Sequence, residues 1–430
     1  MVLQIGIHVS LTSLCRKDRK GIPLSLKIIS EVESMKQLYV GIDTSKDKHD
    51  VCVKDETGKV LLGHLRIQNT QTDLKRLYER LDKLKKSSNG CMIIFGMEAT
   101  GIYYLPLYYA LVNDGYAVKL YNPIQSHGYR KLEIRKTKTD KIDAAIITDM
   151  LRYSETPMLE DINPDLYALR ELCRTRHRII RKIADCKRQL TRNIDMLWPG
   201  YEKFFSDIFG KTSCAVLKRY SVPAKLIEKP FEDFYDFLTR TSRTQFKRDK
   251  AENIYEVAKN TLSIPPLEPI GRIEIRMLLT QLNLLDKQKE RLEKHIQRIM
   301  QRRNCKITSI PGIGNVLGAI ILGEIGDIKR FSNARKLIAY AGLDPSVSQS
   351  GRVEGNGGKI SKRGSPLLRH ALFLAANNAR QCDKVFKEYY EKKMAKGKHF
   401  KVAVTATAGK MLRVVYYVLK EDKEYRIVSN

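Results

Sequence analysis

The chain has 430 residues, enough for two or three domains, with 78 Lys plus Arg against 48 Asp plus Glu and a formal net charge of +30. Such a charge argues for a polyanionic partner, most simply DNA or RNA, with a membrane surface as the alternative. No run of about 18 apolar residues is expected to cross a bilayer, and the eight scattered cysteines contain no C-x-x-C pair, so neither a zinc ribbon nor a disulfide framework is indicated.

Residues 1–34 lack the β-α patterning of the segment after them. Their basic cluster, Arg16, Lys17, Arg19 and Lys20, comes after the apolar stretch, the reverse of a signal peptide. They are expected to be an extension, disordered or preceding a natural start at Met35. Residues 35–155 alternate strands and helices. Strands are predicted over 38–43, 49–54 and 59–67, and a helix over 70–86 with its apolar stripe at Leu74, Leu77, Leu81 and Leu84. A strand over 91–98, a helix near 102–113, a strand over 116–121 and a helix over 138–152 complete an α/β domain with a mixed sheet.

The first strand, "YVGID", ends on Asp43, and "CMIIFGME" ends on Glu98. A carboxylate at the edge of a sheet core is poorly solvated and needs a partner. One reading of Asp43 alone is a turn cap acting through Thr44 and Ser45. Asp140 and Asp143, three apart on the predicted helix, share a face. Four converging carboxylates would repel one another without cations, and hard divalent ions such as Mg²⁺ or Mn²⁺ suit both carboxylate and phosphate oxygens. Strand-end Asp, strand-end Glu and a helical Asp pair, in that order, are the arrangement of RNase H-like nuclease folds. The alternative is a set of scattered surface acids.

Residues 163–200 read as one long helix. Leu172, Ile179, Ile183, Cys186, Leu190, Ile194 and Leu197 form one stripe, and nine Lys or Arg lie between Arg170 and Arg192. That charge suits a phosphate backbone or is a solvated face. Residues 200–270 show no motif. Over 272–303, Ile275, Leu278, Leu282, Leu285, Leu292, Ile296 and Ile299 keep a three-four spacing with Lys289 at the missing position. This predicts a coiled coil between chains, or packing back on 163–198 within one chain. Residues 304–430 are predicted mainly helical. They open with a Pro311-Gly312-Ile313-Gly314 turn, either structural or offering backbone N–H groups to a phosphate, and continue into a polar, basic Ser/Gly loop, "DPSVSQSGRVEGNGGKISKRGSPLLRH".

Taken together, "VGIDTSK", "MEATG", "RKTKTDKIDA", "SIPGIG", "YAGLDPSVSQSG" and "KRGSPLLR" resemble the DEDD transposases of bacterial insertion sequences, over roughly 39–152 and 304–420. The resemblance implies a RuvC-like domain at 35–155, a basic helical and coiled-coil region at 156–303 and a transposase domain at 304–430. It carries the metal-binding carboxylates to Asp43, Glu98, Asp140 and Asp143. It carries a nucleophilic serine to Ser350, marked by Pro345 and Gly351; chemistry alone does not choose it from Ser346, Ser348, Ser361 and Ser365. It further implies Mg²⁺-dependent cutting and rejoining of DNA through a phosphoserine link, guided by a structured non-coding (bridge) RNA. The expected assembly is a homodimer or homotetramer formed through the coiled coil and C-terminal domain, in the cytoplasm of a bacterium or archaeon, at the nucleoid. A water-using nuclease or junction resolvase is the alternative enzyme, and a basic nucleic-acid chaperone the non-enzymatic one. His370 reads as structural or DNA-contacting.

Overall fold

The computed structural model describes residues 36–87, 91–99, 101–121, 126, 128–129, 140–153, 163–242, 246–262, 264–345, 349–350, 353–354 and 360–426. The expected extension at 1–34 lies outside them. The chain divides into two compact units, residues 1–161 and 162–430.

In the first unit the strands are β1 (Gln37–Thr44), β2 (His49–Asp55), β3 (Val60–Ile67), β4 (Met92–Glu98) and β5 (Ala117–Tyr121); the helices are α1 (Gln71–Ser87), α2 (Leu105–Asn113) and α3 (Asp140–Tyr153). The sheet order is β3-β2-β1-β4-β5. β1 runs antiparallel to β2 and parallel to β4. This is a mixed α/β layer consistent with the RNase H-like expectation. Side chains alternate across the sheet. Leu38, Val40 and Ile42 of β1 are fully buried on one face, and on that face Phe95 meets Tyr116, which meets Tyr78 of α1. The opposite face carries α3. A Cβ built on Gly41 would stand 2.3 Å from Thr148 Oγ1 and 2.4 Å from the Ala144 carbonyl oxygen; one on Gly96 would meet Leu151 Cδ1 at 2.4 Å. Both strands therefore need glycine where the helix crosses them. Thr148 Oγ1 donates back to the Ala144 carbonyl at 2.8 Å and lies 3.3 Å from that of Cys52, holding the helix over β2 as well.

The second unit is helical. α4 (Pro164–Leu197) starts cleanly because Asn163 accepts from the Asp165 and Leu166 amides and Pro164 stands at the first helical position. α9 (Glu268–Arg303) returns antiparallel to it. Gly271 sits against Leu197. Cys186 Sγ reaches the Leu278 carbonyl at 3.3 Å, Arg176 Nε donates to Glu293 Oε1 at 2.7 Å, and Arg303 Nη1 donates to Asn163 Oδ1 at 2.9 Å. The apolar stripe of α9 is thus met from within the chain. The region without motifs is four helices, α5 (Lys211–Arg219), α6 (Pro223–Ile227), α7 (Phe231–Ser242) and α8 (Arg248–Asn260). They close an aromatic core around Trp198, Tyr201 and Phe234 at the far end of the α4/α9 hairpin.

At the near end, Leu166 and Leu169 of α4 join a core built with α10 (Asn315–Ile325), α11 (Ala334–Ala341), α12 (Pro366–Cys382), α13 (Lys384–Met394) and α14 (Phe400–Glu421). The boundary expected at 303 therefore lies inside one compact unit. α14 is, by length and composition, apolar enough to cross a membrane, but Lys401, Lys410 and Arg413 interrupt it and half of the apolar window is buried, as in the core helix of a globular unit. Its Val404, Ala408, Met411, Leu412 and Val415 are buried in this core. Gly323 brings α10 onto the backbone of Arg170, where a Cβ would lie 2.7 Å from the amide nitrogen. One turn on, Arg174 donates from Nε and an Nη to the two oxygens of Glu324 at 2.8 and 3.1 Å, with Glu324 almost fully enclosed. Burial pushes the Glu324 carboxyl up, but hydrogen bonds from Arg174 and Ser365 outweigh it and hold the group below its ordinary value.

Gly41→Val is expected to force α3 off the sheet and lower the melting temperature of the first unit, at a cost beyond the about 1–3 kcal/mol typical of overpacking, because two of the clashes are with backbone, the Ala144 carbonyl oxygen and the Thr148 amide nitrogen. Arg174→Ala leaves the buried Glu324 carboxylate with only the Ser365 hydrogen bond and the charge of Arg170 to hold it. The guanidinium is 38% exposed, so the loss falls at or below the lower end of about 3–5 kcal/mol, measurable by denaturant titration. Because the Glu324 carboxyl is depressed in the folded chain, its contribution is present above its unfolded value. It is lost as pH falls through the folded one, so the gap between wild type and Arg174→Ala narrows in acid.

Candidate active site

Asp43 stands at the end of β1, where the parallel register Gly41 to Gly96 and Ile42 to Met97 runs on to bring it level with Glu98 at the end of β4. Two carboxylates therefore leave the sheet side by side, at the carboxyl ends of neighbouring parallel strands. Both are half-buried. They lie on the face that Gly41 and Gly96 open to α3, and Asp143 sits on α3 immediately before Ala144, the residue that touches Gly41. Asp143 is buried. Asp140 opens α3 one turn earlier; its side chain lies outside the described residues. Among the described residues, no three His, Cys, Asp or Glu side chains stand close enough together to hold a metal ion.

The turn after β1 is closed by Ser45, whose amide and hydroxyl both donate to the Lys48 carbonyl, at 3.1 and 2.6 Å. Four residues not singled out from the sequence belong to this neighbourhood. The buried Ser126 donates its hydroxyl to Glu98 Oε2, orienting that carboxylate. Asp50 is the direct cross-strand partner of Asp43. It is itself held by His64 and Arg66 of β3. Only the pairing of distant segments reveals these contacts; the sequence carries no spacing signal for them.

The serine side of the expected chemistry lies in the second unit. Ser350 belongs to β6 (Gln349–Ser350), paired antiparallel with β7 (Val353–Glu354), with Ser350 opposite Val353. Its side chain, like Ser346, Ser348, Gly351 and the glycines at 355, 357 and 358, lies outside the described residues. The base of this loop is described, and it is tightly built. Pro345 bridges Ile360. The Ser361 amide donates to the Asp344 carbonyl at 2.9 Å and the Lys362 amide to the Gly342 carbonyl at 3.1 Å. Gly342, at φ +67°, and Gly364, whose Cβ would fall 1.9 Å from the Tyr340 carbonyl oxygen, let the two sides meet. Arg369 ties them from below, donating from Nη1 to the Ala341 and Gly364 carbonyls at 3.1 and 2.6 Å. Ser361 is thereby committed to Asp344 through its hydroxyl, and Ser365 caps α12 by accepting from the Leu368 amide. Both hydroxyls are thus engaged with the scaffold of the loop base.

His370 lies exposed on the first turns of α12. Burial, and after it the charges of His370, Arg181 and Arg176, hold the His177 imidazole of α4 below its ordinary value, which places His370 beside the basic face of α4. Along that face Lys187, Arg188, Thr191, Arg192 and Asp195 line a shallow groove with Phe209, and the Lys187 ammonium stands 4.5 Å from the Phe209 ring centre. The Pro311–Gly314 turn is structural at Gly312. A Cβ there would lie 2.4 Å from the Ala375 carbonyl oxygen, so that part of the turn is packed onto α12, while Gly314 at its other end is exposed.

Comparison with known proteins accords with this division. A family model for DEDD transposases of the IS110 group, described as "Transposase", matches residues 40–199, and one described as "Transposase IS116/IS110/IS902 family" matches residues 305–391. The chain is 24% identical, over 90% of its length and 95% of the relative's, to the "Insertion element IS110 uncharacterized 43.6 kDa protein" of Streptomyces coelicolor. It is 24% identical to the "Pilin gene-inverting protein" of Moraxella bovis, over 91% of this chain and 98% of that one. It is 23% identical to the "Transposase for insertion sequence element IS1111A" of Coxiella burnetii, over 91% and 93%. With both units matched by models of one family and about nine-tenths of its length aligned to these relatives, the chain belongs to the IS116/IS110/IS902 family of insertion-sequence transposases.

Proposed function

We propose that the protein cuts and rejoins DNA by a metal-dependent transfer through a covalent link to Ser350, guided by a structured RNA. The observation that carries the first part is the level placement of Asp43 and Glu98 on adjacent parallel strands, with Asp143 on the helix that crosses them. All are hard oxygen donors, with Asp140 one turn before Asp143, and this donor set suits Mg²⁺ or Mn²⁺ over softer metals. A bound divalent ion would supply charge neutralisation at the scissile phosphate. The chain's own part is to hold Glu98 through Ser126 and Asp143 through the seating of α3, so that the oxygens need little rearrangement.

Ser350 is proposed as the nucleophile. Its hydroxyl oxygen would bond to phosphorus and lose its proton while the 3′ oxygen leaves as a free 3′-OH. A 5′-phosphoserine would remain, and a later 3′-OH attack would reverse the link. The tightly bonded base at 342–345 and 360–364 favours this loop as a delivered element, and Ser361 and Ser365 belong to that base, unlike Ser350. The RNA and DNA contacts are assigned to the exposed cations Arg178, Arg181, Lys182, Arg188 and Arg192 of α4, with Phe209 as a stacking surface in their groove. Self-association as a homodimer or homotetramer is supported by Ile270, Ile273, Met277 and Leu284, which form a second, exposed apolar stripe on α9.

One gel assay tests the chemistry. With labelled DNA and Mg²⁺, wild type is expected to give a slow, protease-sensitive band under denaturing conditions. Asp43→Asn and Ser350→Ala are expected to remove the band while keeping DNA binding and melting temperature. Cleavage by Asp43→Asn at the wild-type rate sinks the carboxylate site; cleavage without any band sinks the serine step in favour of water attack. For the nucleic-acid face, replacing Lys187, Arg188 and Arg192 together by Gln should reduce the slope of log affinity against log salt by roughly 0.7–0.9 for each phosphate that these side chains neutralise. An unchanged slope would move the contacts elsewhere.

A further inference from the structure

We propose that Arg66, clamped by Asp50, is a phosphate-positioning residue of the carboxylate site. This rests on the reading of that site as DNA-cleaving and adds a cation to it.

One row of residues crosses the sheet. Arg66 of β3 stands opposite Asp50 of β2, Asp50 opposite Asp43 of β1, and Glu98 of β4 opposite Tyr121 of β5, with Asp43 and Glu98 level between them. Directly opposed residues on antiparallel strands share a face, and like charges there repel. Asp50 is 2% exposed. A buried carboxylate beside Asp43 needs compensation. It comes from β3: Arg66 Nε donates to Asp50 Oδ1 at 3.1 Å, and His64 Nε2 donates to the same oxygen.

Neutralisation alone does not account for the geometry. An arginine that only balances a carboxylate commonly turns its fork into both oxygens. Here one nitrogen is used. Among the described residues the terminal nitrogens of Arg66 have no partner, and its side chain is 53% exposed. Fixing Nε sets the plane of the guanidinium and leaves the other edge, with two donors, facing solvent. That edge matches a phosphate. β3 is the sheet's outer strand, and two strand spacings put the Arg66 backbone about 10 Å from that of Asp43. A side chain reaching back over that distance contacts a phosphate flanking the one held at Asp43 and Glu98. Arg76 of α1 donates to the Arg66 carbonyl, which fixes the strand from behind. The row therefore presents acids where the scissile phosphate would bind and a pre-set cation beside them.

The test uses the full chain and a labelled DNA duplex, with affinity measured across salt concentrations. Arg66→Gln is expected to reduce the magnitude of the log affinity against log salt slope by about one and to raise KM for cleavage more than it lowers kcat. Arg66→Lys should keep the slope, since the charge stays, while losing part of the cleavage rate through the lost orientation. If Arg66→Gln lowers the melting temperature but leaves the slope unchanged, the arginine serves only Asp50 and the assignment falls. If Arg66→Gln does not fold, the Asp50→Asn/Arg66→Gln pair removes acid and cation together and must show the same reduced slope. The two readings fail separately: cleavage surviving in Asp43→Asn overturns the carboxylate site, whereas an unchanged slope alongside an inactive Asp43→Asn overturns only the role of Arg66.

Discussion

The carboxylate neighbourhood of the first unit depends on a close approach of helix to sheet. Gly41 and Gly96 are level on neighbouring strands, and each leaves a gap that α3 fills with Thr148, Ala144 and Leu151. A side chain at Gly41 would meet the helix backbone and lift it, and one at Gly96 would have to displace Leu151. Asp143 would then move away from the strand ends, and the acids would be separated by solvent. The glycines carry no chemistry, yet they decide whether the carboxylates form one neighbourhood. The arrangement also places the charged row in partly buried surroundings, where each carboxylate must be held by a specific donor. Ser126 on Glu98 and the Arg66–His64 pair on Asp50 are such donors.

The second unit solves a different problem, which is to anchor the serine loop on a fixed base. The α4/α9 hairpin is a two-helix spine with a core at each end. At the end near the serine loop, the Arg174–Glu324 pair and the Gly323 contact lock α10 to the spine. α10 in turn supports α11, through the bond from the Tyr340 hydroxyl to the Glu324 carbonyl at 3.0 Å. α11 leads into the base of the loop. A continuous set of packed and hydrogen-bonded groups thus runs from the basic face of α4 to the base of the segment that contains Ser350. The aromatic core at the other end gives residues 200–260 a structural account: their helices cap the hairpin, and the turn before the first of them supplies Phe209 to its basic groove.

Much of this is legible in the residues alone. The strands and helices of 37–153 follow from apolar periodicity. Asp43, Glu98, Asp140 and Asp143 stand out because each is a carboxylate at the terminus of a strongly patterned element. The length of α4 follows from one uninterrupted stripe. Whatever depends on which segments meet is hidden. The apolar stripe of α9 has the same spacing whether it meets another chain or α4, because periodicity records the need for a partner and not its identity. Asp50, His64, Arg66 and Ser126 form no pattern in the sequence. They become neighbours only through strand register and chain return, and a one-residue slip would turn Asp50 to the other face. The apolar character of α14 shows the same limit, since composition alone does not distinguish a core helix from one that crosses a bilayer. Local periodicity determined which elements form; long-range packing, set by glycines that allow contact and charges that must be paired, decided which of their side chains share a site.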